Sequence, residues 1–372
     1  MNLNGELKVI GMRGCEEFTA EVDSYLKKIR GSEKSFVANA QCPRFGSGEA
    51  KALINESMRG LDLYIISDCF NYGVTYKMYG MQVPMSPDDH FQDLKRVIAA
   101  TGGKTRRISV IMPMLYEGRQ HKRSARESLD CALALQELTA MGVTNIITFD
   151  AHDPRVQNAI PLNGFDSVRP TYQMLKALIT SVPDVVLDKD NIMVVSPDEG
   201  AIGRSMYIAS VLGIELGMFY KRRNYSIIVD GKNPIEAHEY LGKDLHGKDV
   251  IVVDDMISSG DSMIDVSLQL KQRGAKRVFV FSTFALFCNG LEKFDKAYEE
   301  GIFDKIFATN LTYHPEEVLS RDWYCNVNMC KYVSYIIDTL NKDNSISDLL
   351  NPVKKIHTLL DKYKENSNFD ED

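Results

Sequence analysis

No uninterrupted apolar run in this chain approaches the length needed to span a membrane, and the N-terminus lacks an apolar export segment. The cytoplasm is the expected location. A positive surplus is missing too. The 44 Lys and Arg against 51 Asp and Glu leave a net charge of −7, which argues against a general nucleic-acid binder while allowing local basic patches. Cys15, Cys42, Cys69, Cys131, Cys288, Cys325 and Cys330 show no metal-ligand spacing, and their odd number fits reduced thiols. No residue-level repeat is strong enough to prove two similar halves. What is present is ordinary for a globular protein: 44% apolar and 26% charged residues, in a chain of 372 that is long enough for two cores.

The most informative stretch runs over residues 249–262. Val250, Ile251, Val252 and Val253 read as a strand buried on both faces, the habit of a parallel sheet covered by helices. Asp254 and Asp255 follow, then a small polar loop, then a helical pattern with Met263, Val266 and Leu270 on one face and Gly274 at its stop. Strand, loop and helix in this order present free backbone N–H groups and a positive helix end at the carboxyl edge of a sheet, an anion site suited to phosphate. Asp, Ser and Gly also populate plain turns. A merely solvated turn, however, has no need of two adjacent acids at a strand's end.

Elsewhere the pattern predicts strands near 7–10, 35–40, 62–66, 108–112, 145–149, 192–195 and 277–285. Helices are expected near 16–29, 90–100, 126–141, 171–180, 203–212, 291–300, 332–340 and 353–363, and residues 218–220 and 226–229 are further apolar runs. Residues 69–89, rich in Tyr, Gly, Met and Pro, read as a long surface loop, and 161–170 as a domain boundary. From Lys364 the tail is acidic and expected to be disordered. Alternating strands and helices call for an α/β fold with mostly parallel sheets, whose ligands sit at the carboxyl ends of strands. The expected division is 1–165, 166–345, and a C-terminal helix and acidic tail over 346–372.

Three polar clusters fall at those strand ends. Lys221, Arg222 and Arg223 place three cations on one segment, and if it is extended Lys221 and Arg223 share a face. Alone this is a solvated patch; beside a phosphate loop it is suited to neutralising phosphoryl oxygens. A second basic loop, Arg119-Gln120-His121-Lys122-Arg123, suits a polyphosphate or nucleotide. His152 lies between Asp150 and Asp153, and Asp198 holds an equivalent position in the second half. A lone His is more often structural, but an oxygen-rich site with one imidazole suits Mg²⁺ on substrate phosphates rather than a closed zinc site.

Six motifs together resemble the ribose-phosphate pyrophosphokinases, in order and over nearly the whole chain. Arg44-Phe45-Gly46-Ser47-Gly48-Glu49 is similar to the family's Arg-Phe-x-Asp-Gly-Glu adenine loop, and Tyr116-Glu117-Gly118-Arg119-Gln120-His121 to its Tyr-Ala-Arg-Gln-Asp ATP loop. Asp150-Ala151-His152 resembles the metal-binding Asp-Leu-His, and Ser196-Pro197-Asp198 the Ser-Pro-Asp of the second metal position. Lys221-Arg222-Arg223 resembles the catalytic Lys-Arg-Arg, and residues 254–262 the ribose-5-phosphate loop Asp-Asp-Met-Val-Asp-Thr-Gly-Gly-Thr.

The resemblance implies two phosphoribosyltransferase-type domains, each a mostly parallel sheet flanked by helices, in a homo-oligomer built from dimers, up to a hexamer. It implies a Mg²⁺-dependent transferase of nucleotide biosynthesis that turns ATP and ribose 5-phosphate into AMP and phosphoribosyl pyrophosphate. The implied catalytic residues are Lys221 and Arg223. ATP falls to Phe45, Ser47, Gly48, Glu49, Arg119 and Gln120, and Mg²⁺ to His152 and Asp198. The sugar phosphate falls to Asp254, Asp255, Ser258, Ser259, Gly260, Asp261 and Ser262.

The chain also departs from the family pattern. Ser47 replaces an adenine-contacting Asp, His121 an Asp, Ser258 an Asp and Asp261 a Gly. A carboxylate at 261 repels a dianionic phosphate unless it turns away to cap the helix, so a modified ribosyl acceptor such as ADP-ribose is one alternative. A catalytically silent regulatory paralogue is another, and a phosphoribosyltransferase that consumes phosphoribosyl pyrophosphate a third.

Overall fold

The computed structural model describes residues 5–223 and 235–364. These form two compact units. The first joins Met1–Pro170 with Asn310–Tyr313 and Asn328–Asn351; the second joins Thr171–Thr309 with His314–Val327 and Pro352–Asp372. The sequence-based division used contiguous segments, whereas here the chain's last third contributes to both units.

The first unit begins with β1 (Leu7–Gly11) and α1 (Glu16–Arg30). Glu16 and Glu17 complement the positive end of α1, and Gly31, left-handed at φ 58°, closes it. Short strands β2 (Ala40–Gln41) and β3 (Leu53–Ile54) pair with each other, where the sequence suggests one strand over 35–40. After β4 (Asp62–Ile66), the stretch expected to be a long surface loop contains the hairpin β5 (Thr75–Met78) and β6 (Met81–Pro84). Its two turn residues, Tyr79 and Gly80, both have positive φ, 49° and 80°, the requirement of a two-residue hairpin turn that matches strand twist. Helix α2 (Pro87–Ala100) starts earlier than expected, at a capping box between Ser86 and Asp89 with Pro87 in the first turn.

Strand β7 (Arg107–Ile111), helix α3 (Asp130–Ala140) and strand β8 (Asn145–Phe149) follow, then a 3₁₀ turn over Pro154–Ala159. The expected boundary at 161–170 agrees with the first unit's segment ending at Pro170, and most of that stretch is β9 (Gly164–Val168), a parallel edge strand against β8. The sheet has the order β1-β4-β7-β8-β9 with all pairs parallel. Its core includes Ile10, Leu63, Ile65, Leu94, Val110 and Ile146.

In the second unit come α4 (Thr171–Ser181), β10 (Ile192–Ser196), α5 (Ile202–Leu212), β11 (Glu215–Arg223) and β12 (Ile235–Leu241). They are followed by β13 (Asp249–Ile257), α6 (Asp261–Gln272), β14 (Arg277–Ala285) and α7 (Glu292–Glu299). Two strands that the pattern did not reveal, β15 (Lys305–Thr309) and β16 (Tyr324–Val327), complete the sheet, with the short α8 (Glu316–Leu319) between them. The order is β12-β11-β10-β13-β14-β15-β16, antiparallel only at the β11–β12 pair. Central β13 carries Val250 to Val253 at 5% exposure or less, as a strand covered on both faces requires. Helix α9 (Cys330–Asn341) packs on α1 in the first unit, α10 (Ser347–Leu350) follows it, and α11 (Val353–Lys364) lies against α4 and α5 in the second. No described helix is long and apolar enough to cross a membrane.

Candidate active site

Both units end their strands in polar loops. In the second unit β13 delivers Asp254 and Asp255, with Asp255 almost fully buried and its N–H donating to Asp254 Oδ1 at 2.8 Å. Arg204 of α5 faces the pair, its Nη1 3.5 Å from Asp254 Oδ1 and 3.7 Å from Asp255 Oδ1. Burial raises the Asp254 carboxyl well above its ordinary range, and the charge of Asp255 adds to this; Arg204 opposes it and Asp198 adds a third repulsion. Sequence reading did not single out Arg204, which sits in a helix with no motif to mark it.

Asp198 lies past the end of neighbouring β10. Its Oδ1 accepts the N–H groups of Gly200 at 2.9 Å and Ala201 at 3.1 Å, so the loop itself fixes the carboxylate's direction. Three carboxylates acting on one another with a single guanidinium among them form an acidic surplus. That surplus, all oxygen donors, fits Mg²⁺ together with the hydroxyls of a sugar. Among the described residues no group of three or more His, Cys, Asp and Glu is arranged to hold a metal by protein ligands alone.

The 258–262 loop rests on β14's continuation: Leu286 and Cys288 donate N–H groups to the carbonyls of Ile257 and Ser258. Gly260 has φ +87°, and a Cβ there would lie 2.0 Å from Phe294 Cζ, so glycine is required twice over. Phe294 is itself stacked on Trp323 at 5.8 Å and edge-on to Phe287 at 4.9 Å. Helix α6 starts at Asp261 with Gly260 as its cap residue and no side-chain cap. Asp261 therefore does not cap the helix, as the sequence allowed. Its Oδ2 accepts the Ser259 hydroxyl at 2.7 Å and its Oδ1 lies 2.5 Å from Lys293 Nζ. Lys293 and Ser259 hold this exposed carboxyl below its usual range.

Lys221 to Arg223 continue the backbone of β11, paired with β12 up to a register shift between Arg222 and Arg223. The side chains of Lys221 and Arg223 lie outside the described residues, as does the apolar run at 226–229 and the tail beyond 364.

In the first unit Arg44-Phe45-Gly46-Ser47-Gly48-Glu49 forms a tight turn in which Phe45 N–H donates to Glu49 O at 2.7 Å. Phe45 is 54% exposed, and the Ser47 hydroxyl donates to Glu49 Oε2 at 2.8 Å. Arg44 anchors the turn from below: its guanidinium is 2.8 Å from Asp93 Oδ2 and lies over the Tyr76 ring at 4.6 Å. The β5–β6 hairpin completes the support, with Tyr79 N–H donating to Gly46 O at 2.8 Å and Met78 against Gly48.

Arg119 is exposed in the loop after β7, while the Gln120 amide is tied to Ser128 O at 2.9 Å. His121 and His152 have ring centroids 5.3 Å apart, and His121 Nε2 lies 3.5 Å from Asp153 Oδ2. The turn delivering His152 uses Asp150 at φ 39°, and Ala151 N–H is held by the Ser167 hydroxyl of β9. Hydrogen bonding from Arg155 lowers the Asp153 carboxyl to about 2, with its backbone N–H and His121 adding to the effect. His152 is exposed on this turn, between Asp150 and Asp153 in sequence, and an imidazole beside oxygen donors suits a cation. The first unit thus brings Arg119, Gln120 and His152 onto strand-end loops, and the second does so for Asp198, Asp254, Asp255 and Ser258 to Ser262.

The chain is similar in sequence and fold to known proteins. The model of the N-terminal domain of ribose phosphate pyrophosphokinase matches residues 7–142, and the phosphoribosyl transferase domain model matches 171–308. The ribose-phosphate pyrophosphokinase of Mycoplasma genitalium is 30% identical over 292 residues, which cover 78% of this chain and 79% of its own length. That of Pasteurella multocida is 31% identical over 285 residues, covering 74% and 81%. The crystal structure of phosphoribosylpyrophosphate synthetase from Mycobacterium smegmatis has the same fold, with a TM-score of 0.72 over 91% of this chain and 100% of that one at 20% identity. By descent and by architecture, the chain belongs to the ribose-phosphate pyrophosphokinase family.

Proposed function

We propose that this protein transfers the terminal pyrophosphoryl group of ATP to the anomeric hydroxyl of ribose 5-phosphate, giving AMP and phosphoribosyl pyrophosphate. The hydroxyl oxygen bonds to the β-phosphorus, the bond from that phosphorus to the oxygen it shares with the α-phosphate breaks, AMP leaves, and one proton is released. The observation that carries this reading is the Asp254–Asp255 pair facing Arg204 at the carboxyl end of the central strand, followed directly by the 258–262 loop. A vicinal pair of ribose hydroxyls suits two adjacent carboxylates, each of which accepts a hydroxyl hydrogen bond. Backbone N–H groups, that of Ser259 included, and the hydroxyls of Ser258 and Ser262 receive the 5-phosphate at the start of α6.

ATP is assigned to the first unit. Phe45 offers an exposed ring for the base, with Ser47, Gly48 and Glu49 at its edge, and Arg119 and Gln120 take the phosphates. Lys221 and Arg223 stabilise charge on the transferred group and on departing AMP, a role in which positioning and neutralisation supply most of the catalysis. His152 and Asp198 are the residues assigned to Mg²⁺, which when bound screens the phosphate charges. A homo-oligomer is part of the proposal, carried over from the family.

The test is AMP release from ATP and Mg²⁺ with ribose 5-phosphate or ADP-ribose as acceptor. Turnover with ribose 5-phosphate is expected. AMP release with ADP-ribose alone would select the modified acceptor, and none with either would favour a silent regulatory copy. Lys293, paired with Asp261, offsets part of the negative charge that motivates a modified acceptor.

A further inference from the structure

Asp261 is an unexpected residue for a phosphate loop. It stands at the first position of α6, where the helix end and the loop's N–H groups otherwise offer only positive potential. A carboxylate there competes with the ligand for that potential. The structure supplies the compensation from a different element: Lys293, in the first turn of α7, reaches Asp261 Oδ1 at 2.5 Å. The position of Lys293 follows from its neighbour. Phe294 is fully buried, fills the space beneath Gly260 and is locked against Phe287 and Trp323. The start of α7 is thus packed onto the underside of the loop. The Lys293 side chain is 28% exposed and that of Asp261 71%, so the lysine is the better anchored partner.

We propose that Asp261 and Lys293 form a charge-compensated pair that sets the loop's affinity for the acceptor's phosphate, with Lys293 as a positioning residue that makes a carboxylate in this loop compatible with a dianion. The inference rests on the assignment of the 258–262 loop to the 5-phosphate. A phosphate held by this loop lies within a Debye length, ~8 Å at physiological ionic strength, of both charges and responds to their sum. Removing the cation leaves a bare carboxylate that repels the dianion; removing the carboxylate leaves a surplus cation that attracts it; removing both restores neutrality.

The experiment is a cycle of Lys293→Met, Asp261→Asn and the double variant, with KM measured separately for ribose 5-phosphate and ATP. Lys293→Met is expected to raise KM for ribose 5-phosphate about fivefold and Asp261→Asn to lower it by about the same factor, with the double variant close to the wild type. KM for ATP stays fixed, Lys293→Arg restores the wild-type value, and the Lys293→Met shift shrinks in high salt. A purely structural role moves both KM values together and is not reversed by the second substitution. An unchanged KM in Lys293→Met, or a double variant as impaired as Lys293→Met, overturns the proposal. Ser262→Glu separates the two levels. If it raises KM for ribose 5-phosphate while Lys293→Met does nothing, only the pair fails. If neither moves it, the loop assignment fails as well.

Discussion

The two units support their ligand loops in different ways. In the second, the 258–262 loop lies on aromatic rings: Gly260 over Phe294, itself against Phe287 and Trp323. In the first, the 44–49 turn sits on a buried ion pair, Arg44 with Asp93, and the neighbouring chain segment on a buried carboxyl, Asp68, which accepts N–H groups from Phe70 and Tyr313. Rings neither titrate nor need partners, whereas buried charges demand exact pairing and respond to pH. The support of the 258–262 loop is therefore sensitive to shape and that of the 44–49 turn to charge.

The sharpest way to break this comparison is to remove charge where it works only in the transition state. Lys221→Ala is expected to lower kcat by about 10³ with an unchanged melting temperature, since a strand-end cation that stabilises developing charge contributes little to folding. Near-normal turnover would refute the assigned mechanism. Next comes Arg44→Met, which leaves Asp93 short of one buried partner, although Arg96 still reaches its Oδ1 at 2.7 Å. Burial raises the Asp93 carboxyl and Arg44 is the largest opposing influence, so the loss expected is about 3 kcal/mol in denaturant unfolding, with a raised KM for ATP.

Asp68 tests the pH side. Burial pushes its carboxyl up to about 6, against the pull of the Phe70 and Tyr313 N–H groups. A carboxyl raised in the folded state contributes stability that is complete below pH ~4, its unfolded value, and lost as pH rises through about 6. The wild type is thus expected to lose up to about 3 kcal/mol relative to Asp68→Asn across that window, read from unfolding midpoints. A difference that does not vary with pH would contradict it. The smallest effect sharpens the shape side: Gly260→Ala should cost about 2 kcal/mol and raise KM for ribose 5-phosphate. Gly46→Ala, where a Cβ meets open space, should do neither.

This contrast also explains what could be read from the residues alone. The strand–loop–helix at 249–272 is specified locally: four β-branched residues, two acids, small polar residues, then a helical period, although the strand runs on past both acids to Ile257 and the helix starts at Asp261. The 44–49 turn was legible as a motif but not in its support, because Arg44, Tyr76, Met78 and Asp93 are brought together only by tertiary structure. Residues 69–89 were misread because Tyr, Gly, Met and Pro mask a short hairpin; the Tyr79-Gly80 step between two β-prone runs was the available signal. Strand β16, with Asn326 and Cys325 in four residues, has too little apolar pattern to show itself. The return of α9 to the first unit depends on Arg30 meeting Asp338 and Asn341 across some 300 residues, which no local pattern encodes.

The most direct measurement follows the pyrophosphoryl group itself, by ³¹P NMR of a reaction containing the full chain, Mg²⁺, ATP and ribose 5-phosphate. The account predicts AMP and a sugar product carrying a diphosphate at its anomeric carbon in equal amounts. Formation of ADP, or AMP with free pyrophosphate and unchanged sugar phosphate, would contradict it.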